Sequence, residues 1–348
     1  MGSGLMEGLQ EALVALVPRL LAALDRLEHI SRYMHPGRMP DPGPDDAALD
    51  EALNRIGTAE WPEGLTPFRD QLILAGASVR RAHDGLRGAR DQMDVFRALR
   101  LQFRAVEALY PLAGVLPTVS RFFTEPSGSV PTGSHPNTGV YHFDNETGTR
   151  GGYSVYIPEW LRPGTAAPVA MALHGGSGHG RMFLWNWVRE ARSRGVIVIA
   201  PTSTGSTWSL MEPEIDAAHL ARCLDQVRRQ WTVDSSRLLL TGMSDGGTFT
   251  LLSGLDAGSP FTHLAPVAAS FHPLLTAMAE PERIAGLPIY LVHGALDWMF
   301  PIQTGRMASE ALTMAGAKVV FREIADLAHT YPRDENGAIL QWLAGFSD

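Results

Sequence analysis

Two successive architectures are predicted for this 348-residue chain: an all-helical N-terminal domain, then an α/β domain with a mostly parallel sheet. Three observations carry that expectation. Over roughly the first 120 positions, apolar residues recur at three- and four-residue spacing, the period of one helical face. A stretch rich in Pro, Gly and Ser interrupts the pattern at 124–137. Beyond it, short β-branched runs alternate with helical segments, as strands do when helices cover both faces of a sheet.

The first helix is marked by Leu5, Leu9, Leu13, Leu16, Leu20, Leu24 and Leu27 on one face, with Pro18 expected to kink or divide it. A breaker-rich stretch at 35–44 follows. Helical patterns resume at about 46–56, 66–87 and 91–110, with Asp45 and Thr66 as caps and Pro67 at a first helical position. About four helices are thus expected, and no strand before about residue 138. The domains are set at 1–123 and 138–348, joined by the linker. In the second, strands are expected at 153–157, 169–173, 196–200, 238–241, 264–270, 289–292 and 319–323. Helices are expected near 181–193, 214–231, 246–255, 303–315 and 336–345.

Composition narrows the function. With 37 acidic against 29 basic residues the net charge is −8, which argues against nucleic acid as a partner, since phosphate neutralisation needs a basic surface. Cys223 is the only cysteine, so no internal disulfide can form, and it is expected to be a small buried side chain. No run reaches the ~18 uncharged apolar residues of a spanning helix. The best candidate, 12–18, is closed by Pro18 and Arg19 and preceded by Glu7 and Glu11 rather than by a basic segment. Neither a signal peptide nor stable membrane insertion is expected, and the chain is placed in the cytoplasm.

The sharpest local signal is Gly242-x-Ser244-x-Gly246, directly after a predicted strand and before a helical pattern. A nucleophilic serine on a tight strand-to-helix turn needs that setting, because small neighbours must surround a strained backbone. The pentapeptide alone is weak; its setting carries the inference. A serine nucleophile needs a base, and the base an orienting carboxylate. Asp297 follows the strand at 289–292, and His329 lies in the loop after the last strand. Side chains just past the carboxyl ends of strands in an open α/β sheet converge on one crevice. Asp326 is a rival acid, three residues before His329, while His293 is expected to be structural.

After the strand at 169–173 comes His174-Gly175-Gly176-Ser177-Gly178. Acyl transfer builds an oxyanion that requires preorganised N–H donors, and glycines let the backbone approach closely enough to aim them. The expected pair is the amide of Gly176 with that of Asp245. A phosphate-binding loop is disfavoured, since the Lys-Ser/Thr ending and the dinucleotide spacing are both missing.

These segments, with Leu291-Val-His-Gly-Ala-Leu-Asp297 and Ala328-His329, resemble the α/β-hydrolase superfamily, and specifically its bacterial phospholipase/carboxylesterase and polyhydroxybutyrate-depolymerase-like esterases. Trp231-Thr-Val-Asp-Ser-Ser-Arg-Leu before the serine turn and Phe261-Thr-His-Leu after it are similar in style to those enzymes. The resemblance covers about 138–348 and nothing before the linker. It implies an α/β-hydrolase fold, a Ser244 nucleophile, a His329 base, an Asp297 acid and an oxyanion hole at Gly176 and Asp245. The expected reaction is two-step hydrolysis of short- to medium-chain acyl or aryl esters through an acyl-enzyme, with no metal and no organic cofactor.

Trp208, Trp298, Phe300 and His272 are the expected substrate-binding residues, with Trp185, Trp187 and Phe271 as further loop aromatics. A thioesterase, a lysophospholipase or a feruloyl-type esterase stays open within that reading. Outside it stands a non-catalytic scaffold that binds a small ligand or a partner. For the helical domain a lid, a homodimerisation element and a membrane- or partner-binding face are all open. The first two are favoured, because 14 Arg against 17 acidic residues through position 125 leave no basic face for a membrane surface.

Overall fold

The computed structural model describes residues 2–43, 46–126, 128–130 and 132–345, the side chains of 2–6 excepted. The chain divides into two compact units, Met1–Pro126 and Ser127–Asp348.

The first unit is helical: α1 (Gly2–Arg32), α2 (Ala47–Thr58), α3 (Thr66–Arg87), α4 (Gln92–Leu99), α5 (Leu101–Leu109) and α6 (Pro117–Phe122). Of the leucine stripe on α1, Leu9, Leu16, Leu20, Leu24 and Leu27 are buried and Leu13 is half-buried, whereas Val14 on the other side is 67% exposed. Pro18 does not divide the helix. It sits on the exposed side, where its ring meets solvent rather than core, and the buried stripe on either side holds the helix together. Asp45, expected to cap α2, lies outside the described residues; the side chain of Asp46 accepts from Leu49 N–H at 2.9 Å. Pro67 takes the first-turn position of α3, while Thr66 begins that helix rather than capping it. The single helix expected over 91–110 is two, separated at Arg100. Both α4 and α5 pack on α3, and Ala98 comes so close to α3 that a Cβ on Gly85 would lie 2.9 Å from its own. That packing turns the chain where no Gly or Pro marks a break.

The second unit is one sheet of eight strands in the order β1-β2-β4-β3-β5-β6-β7-β8. In chain order these are β1 (Gly139–Phe143), β2 (Tyr153–Ile157), β3 (Ala167–Leu173), β4 (Ile197–Pro201), β5 (Val233–Met243), β6 (His263–Val267), β7 (Pro288–Gly294) and β8 (Lys318–Ile324). Only the β1–β2 and β2–β4 pairings are antiparallel; β3 to β8 run parallel, as do β3 and β4. The helices are α7 (Gly180–Phe183), α8 (Val188–Arg194), α9 (Pro213–Gln230), α10 (Asp245–Gly254), α11 (Leu274–Met278), α12 (Pro281–Ile284), α13 (Ile302–Met314) and α14 (Asn336–Leu343). The inner strands β2, β3 and β4 are buried almost throughout, which explains why they read as continuous apolar runs. β1 lies at the sheet edge, half-buried and five residues long, and its Val-Tyr-His-Phe run was not among the expected strands. Among the described residues no helix is long and apolar enough to cross a membrane.

The leucine stripe makes a direct test in the first unit. Leu20→Ala is expected to cost about 2–5 kcal/mol of stability, and Val14→Ala less than about 0.5 kcal/mol, by urea denaturation followed through helical circular dichroism. Equal losses would mean that the stripe does not face a core.

Candidate active site

Three of the residues singled out by the sequence meet at the carboxyl edge of the sheet. Ser244 stands between β5 and α10, Asp297 in the turn after β7, and His329 in the loop after β8. His329 Nδ1 lies 2.9 Å from Asp297 Oδ2 and His329 Nε2 lies 3.0 Å from Ser244 Oγ. A carboxylate only accepts, so Nδ1 carries the proton and donates to Asp297, leaving Nε2 to accept from the serine hydroxyl. All three residues are buried.

The Ser244 turn is built by steric necessity. Its φ of 55° and ψ of −119° lie where a side-chain-bearing residue costs about 1–3 kcal/mol. Ser244 N–H donates to Val267 O of β6 at 2.9 Å, which fixes the turn against the neighbouring strand. The backbones cross too closely for any side chain beside it. A Cβ on Gly242 would lie 2.5 Å from Gly246 O, and one on Gly246 would lie 2.5 Å from His174 O.

Asp297 is held from both sides. Its Oδ1 accepts from the N–H groups of Met299 at 2.9 Å and Phe300 at 2.8 Å. Burial pushes its carboxyl pKa upward, but the hydrogen bonds from His329, Phe300 and Met299 and the His329 charge outweigh it, so the group sits below the usual carboxylate range. His293 braces the same turn: its Nε2 donates to Phe300 O at 2.7 Å and lies 3.5 Å from Asp297 Oδ2. Asp326, the rival acid, is exposed, and His329 is turned to Asp297 instead.

The loop after β3 lies against the serine turn. A Cβ on Gly175 would be 3.6 Å from that of Ser244, and one on Gly176 would be 2.8 Å from Asp245 Oδ2. Thr207 Oγ1 donates to that same carboxylate oxygen at 2.6 Å. His174 is 1% exposed. Burial, followed by the Arg150 and His179 charges, outweighs its bond to Gly175 and pushes its pKa down to about 3. It is therefore neutral: Nδ1 donates to Gly175 O at 2.7 Å, and Nε2 accepts from Ser203 N–H at 3.1 Å.

The aromatics separate into two groups. Trp298 and Phe300 set their rings edge-on to His329, with centroids 5.7 and 5.4 Å from its own. Trp208, expected to bind substrate, is instead 2% exposed, stacks on Phe249 and donates from Nε1 to His174 O at 2.7 Å. It supports the glycine loop from beneath. His272 is exposed, and its Nδ1 accepts from Leu274 N–H at 3.2 Å, so it caps the turn before α11. Trp185 and Trp187 are buried. Cys223 is buried 3.7 Å from His219 Nδ1, and burial pushes its thiol pKa up to about 12, far from a reactive thiolate. Among the described residues no three His, Cys, Asp or Glu side chains cluster to hold a metal ion.

The phospholipase/carboxylesterase family profile matches residues 209–346, which hold the serine turn, Asp297 and His329. The strand order and the geometry of the serine turn agree with that match. The second unit has an α/β-hydrolase fold. A bifunctional acetylxylan esterase/xylanase of Neocallimastix patriciarum is 28% identical over 162 residues, 45% of this chain and 23% of that protein. Acyl-protein thioesterase 1 of Neurospora crassa is 28% identical over 116 residues, 32% of this chain and 46% of that protein. The chain thus spans less than half the length of either curated relative. Among solved structures, a thermostable esterase aligns at 19% identity and TM-score 0.48, over 59% of this chain and 62% of its own. A truncated carbohydrate esterase from gut microbiota aligns at 13% identity and TM-score 0.49, over 62% of this chain and 99% of its own.

Several residues that support this candidate site carry no signal in the sequence. Arg150, Ser203 and Thr207 lie in irregular loops whose composition carries no motif, and only the fold brings them to the glycine loop.

The buried neutral His174 gives a pH test. It binds a proton at about 6.5 in the unfolded chain but only at about 3 in the fold. Its contribution to stability is complete above about pH 6.5 and is lost as the pH falls toward about 3, because the unfolded state then takes up the proton first. Burial lowers His179, His219 and His263 as well, with the same sign. Urea midpoints measured from about pH 8 to about pH 4 are expected to decline, and less steeply in His174→Gln.

Proposed function

We propose that the chain is a serine carboxylesterase acting on short- to medium-chain acyl or aryl esters. The observation that carries the reading is the unbroken hydrogen-bonded chain from Ser244 through His329 to Asp297. In this mechanism Ser244 Oγ attacks the ester carbonyl carbon as His329 Nε2 takes its proton. Asp297 holds the imidazole in the required tautomer and offsets the charge it gains. The oxyanion is met by the N–H groups of Gly176 and Asp245, neither of which donates a hydrogen bond among the described residues. His329 returns the proton to the leaving alcohol, then activates water to release the acid and regenerate the serine.

Trp298 and Phe300 are proposed as walls of the substrate pocket, since their rings flank the base. The buried Trp298 indole N–H has no acceptor among the described residues. The activities for which the relatives are named, acetylxylan esterase and acyl-protein thioesterase, share acyl transfer to water and lend support at that level. The helical unit is proposed as a lid or a homodimerisation element.

The test is a series of p-nitrophenyl esters together with a fluorophosphonate probe. The wild type is expected to hydrolyse the short members and to be labelled stoichiometrically, and Ser244→Ala to do neither. Asp297→Asn is expected to lower kcat by about 10⁴-fold, because the imidazole loses the tautomer that accepts from serine. A wild type that neither labels nor turns over any chain length would favour the binding scaffold.

A further inference from the structure

Arg150 sits in the loop between β1 and β2, far in sequence from every segment that carries the proposed chemistry. Its guanidinium is half-buried and makes no ion pair among the described residues. It is spent on two loops. Nη1 donates to Gly178 O at 2.7 Å, at the far end of the glycine loop, and Nε donates to Gly205 O at 2.7 Å. Nη2 donates to Ser203 Oγ and, at 3.4 Å, to Ser206 O.

The near end of the glycine loop is tied to the same place. Ser203 N–H donates to His174 Nε2 at 3.1 Å, and Trp208 Nε1 donates to His174 O at 2.7 Å. The segment from Ser203 to Trp208 therefore grips the glycine loop at both ends, with Gly176 midway between. The same segment reaches the serine turn through Thr207 and the Asp245 carboxylate. It is stiffened from behind by Asp216, whose buried carboxylate accepts from Thr204 N–H at 2.9 Å and Ser209 N–H at 2.8 Å.

We propose that Arg150 is a positioning residue for ester hydrolysis: it closes the ring His174–Ser203–Arg150–Gly178 and so fixes the Gly176 N–H relative to the Asp245 N–H. The proposal rests on the esterase reading above. The guanidinium spreads five donors over three nitrogens in a fixed plane and so spans both loops, whereas Lys gathers its three donors on one freely rotating nitrogen. A glycine loop released at one end moves its amide from the oxyanion, and displacements of ~1 Å at such positions cost about 10²-fold in rate. The ground-state ester does not carry that charge, so its binding depends less on the clamp.

The experiment compares Arg150→Met and Arg150→Lys with the wild type on p-nitrophenyl acetate, with kcat normalised to the sites titrated by a fluorophosphonate. Phenylboronic acid, which becomes tetrahedral on serine, serves as the analogue of the intermediate. Arg150→Met is expected to lower kcat per titrated site by about 10- to 100-fold with KM within about twofold, and to weaken phenylboronate in parallel. Arg150→Lys is expected to recover part of both. A kcat per titrated site within about twofold of wild type, or a loss confined to the titratable fraction, would overturn the proposal and leave the esterase reading standing. Should Arg150→Met fail to fold, Ser203→Ala, which removes one anchor of the fork, is expected to lower kcat per site by about 2- to 10-fold at unchanged KM. An unchanged kcat in that variant overturns the proposal. A wild type that is neither titrated nor active, and so indistinguishable from Ser244→Ala, ends the esterase reading and this proposal together.

Discussion

The backbone at Ser244 cannot relax. At φ 55° and ψ −119° it occupies a conformation that an isolated chain would abandon, and it persists because the surroundings leave no other path. β5 delivers the chain into α10 within one residue, with Gly246 pressed on the backbone of Leu173 and His174. The strain aims the serine hydroxyl outward, above the sheet edge, where a side chain in regular strand or helix geometry would not project. It also sets the glycine loop of β3 directly beside the turn. A change that loosened this crossing would therefore disturb the Ser244 hydroxyl and the flanking N–H groups together.

The loops around that crossing differ in what holds them. The His329–Asp297 pair depends on charge, with two backbone N–H groups and an imidazole stabilising the ionised carboxylate. The glycine loop depends on neutrality at one end and charge at the other. Buried His174 must stay unprotonated to accept from Ser203 N–H, and the positive field of Arg150 disfavours its protonation. A protonated His174 would have no acceptor to offer Ser203, so the near end of the loop would keep only the Trp208 bond to the His174 carbonyl. The two halves of the site thus respond differently to acid: one loses a negative charge, the other a hydrogen-bond acceptor.

The parts of the fold legible in the sequence were those dictated by local rules. Buried strands such as β2 and β4 are continuous apolar runs, and Gly-x-Ser-x-Gly stands between a strand and a helix because the turn tolerates nothing larger. Asp297 and His329 could be located because each follows a strand whose end is fixed by topology. What escaped depends on contacts remote in sequence. The break at Arg100 comes from packing on α3, and β1 is a half-buried edge run too short to show a period. Trp208 had the composition of a pocket residue, yet its indole N–H is used on His174 O and its ring on Phe249. Arg150 carried no local signal, since its partners lie 28 and 55 residues away.

The turn after β7 joins two rings to the bonds of a buried carboxylate within four residues. Phe300 gives its N–H to Asp297, gives its carbonyl to His293 and sets its ring against His329. Trp298, one residue past Asp297, presents its ring to the same imidazole. A turn built this way cannot be reshaped freely. A substitution that moves the Phe300 backbone also moves a donor on the buried carboxylate, so Asp297 is perturbed along with the ring. A change confined to the ring leaves both backbone bonds intact. The rings of Trp298 and Phe300 are therefore free to vary in a way that the backbone between them, held by the Asp297 carboxylate, is not.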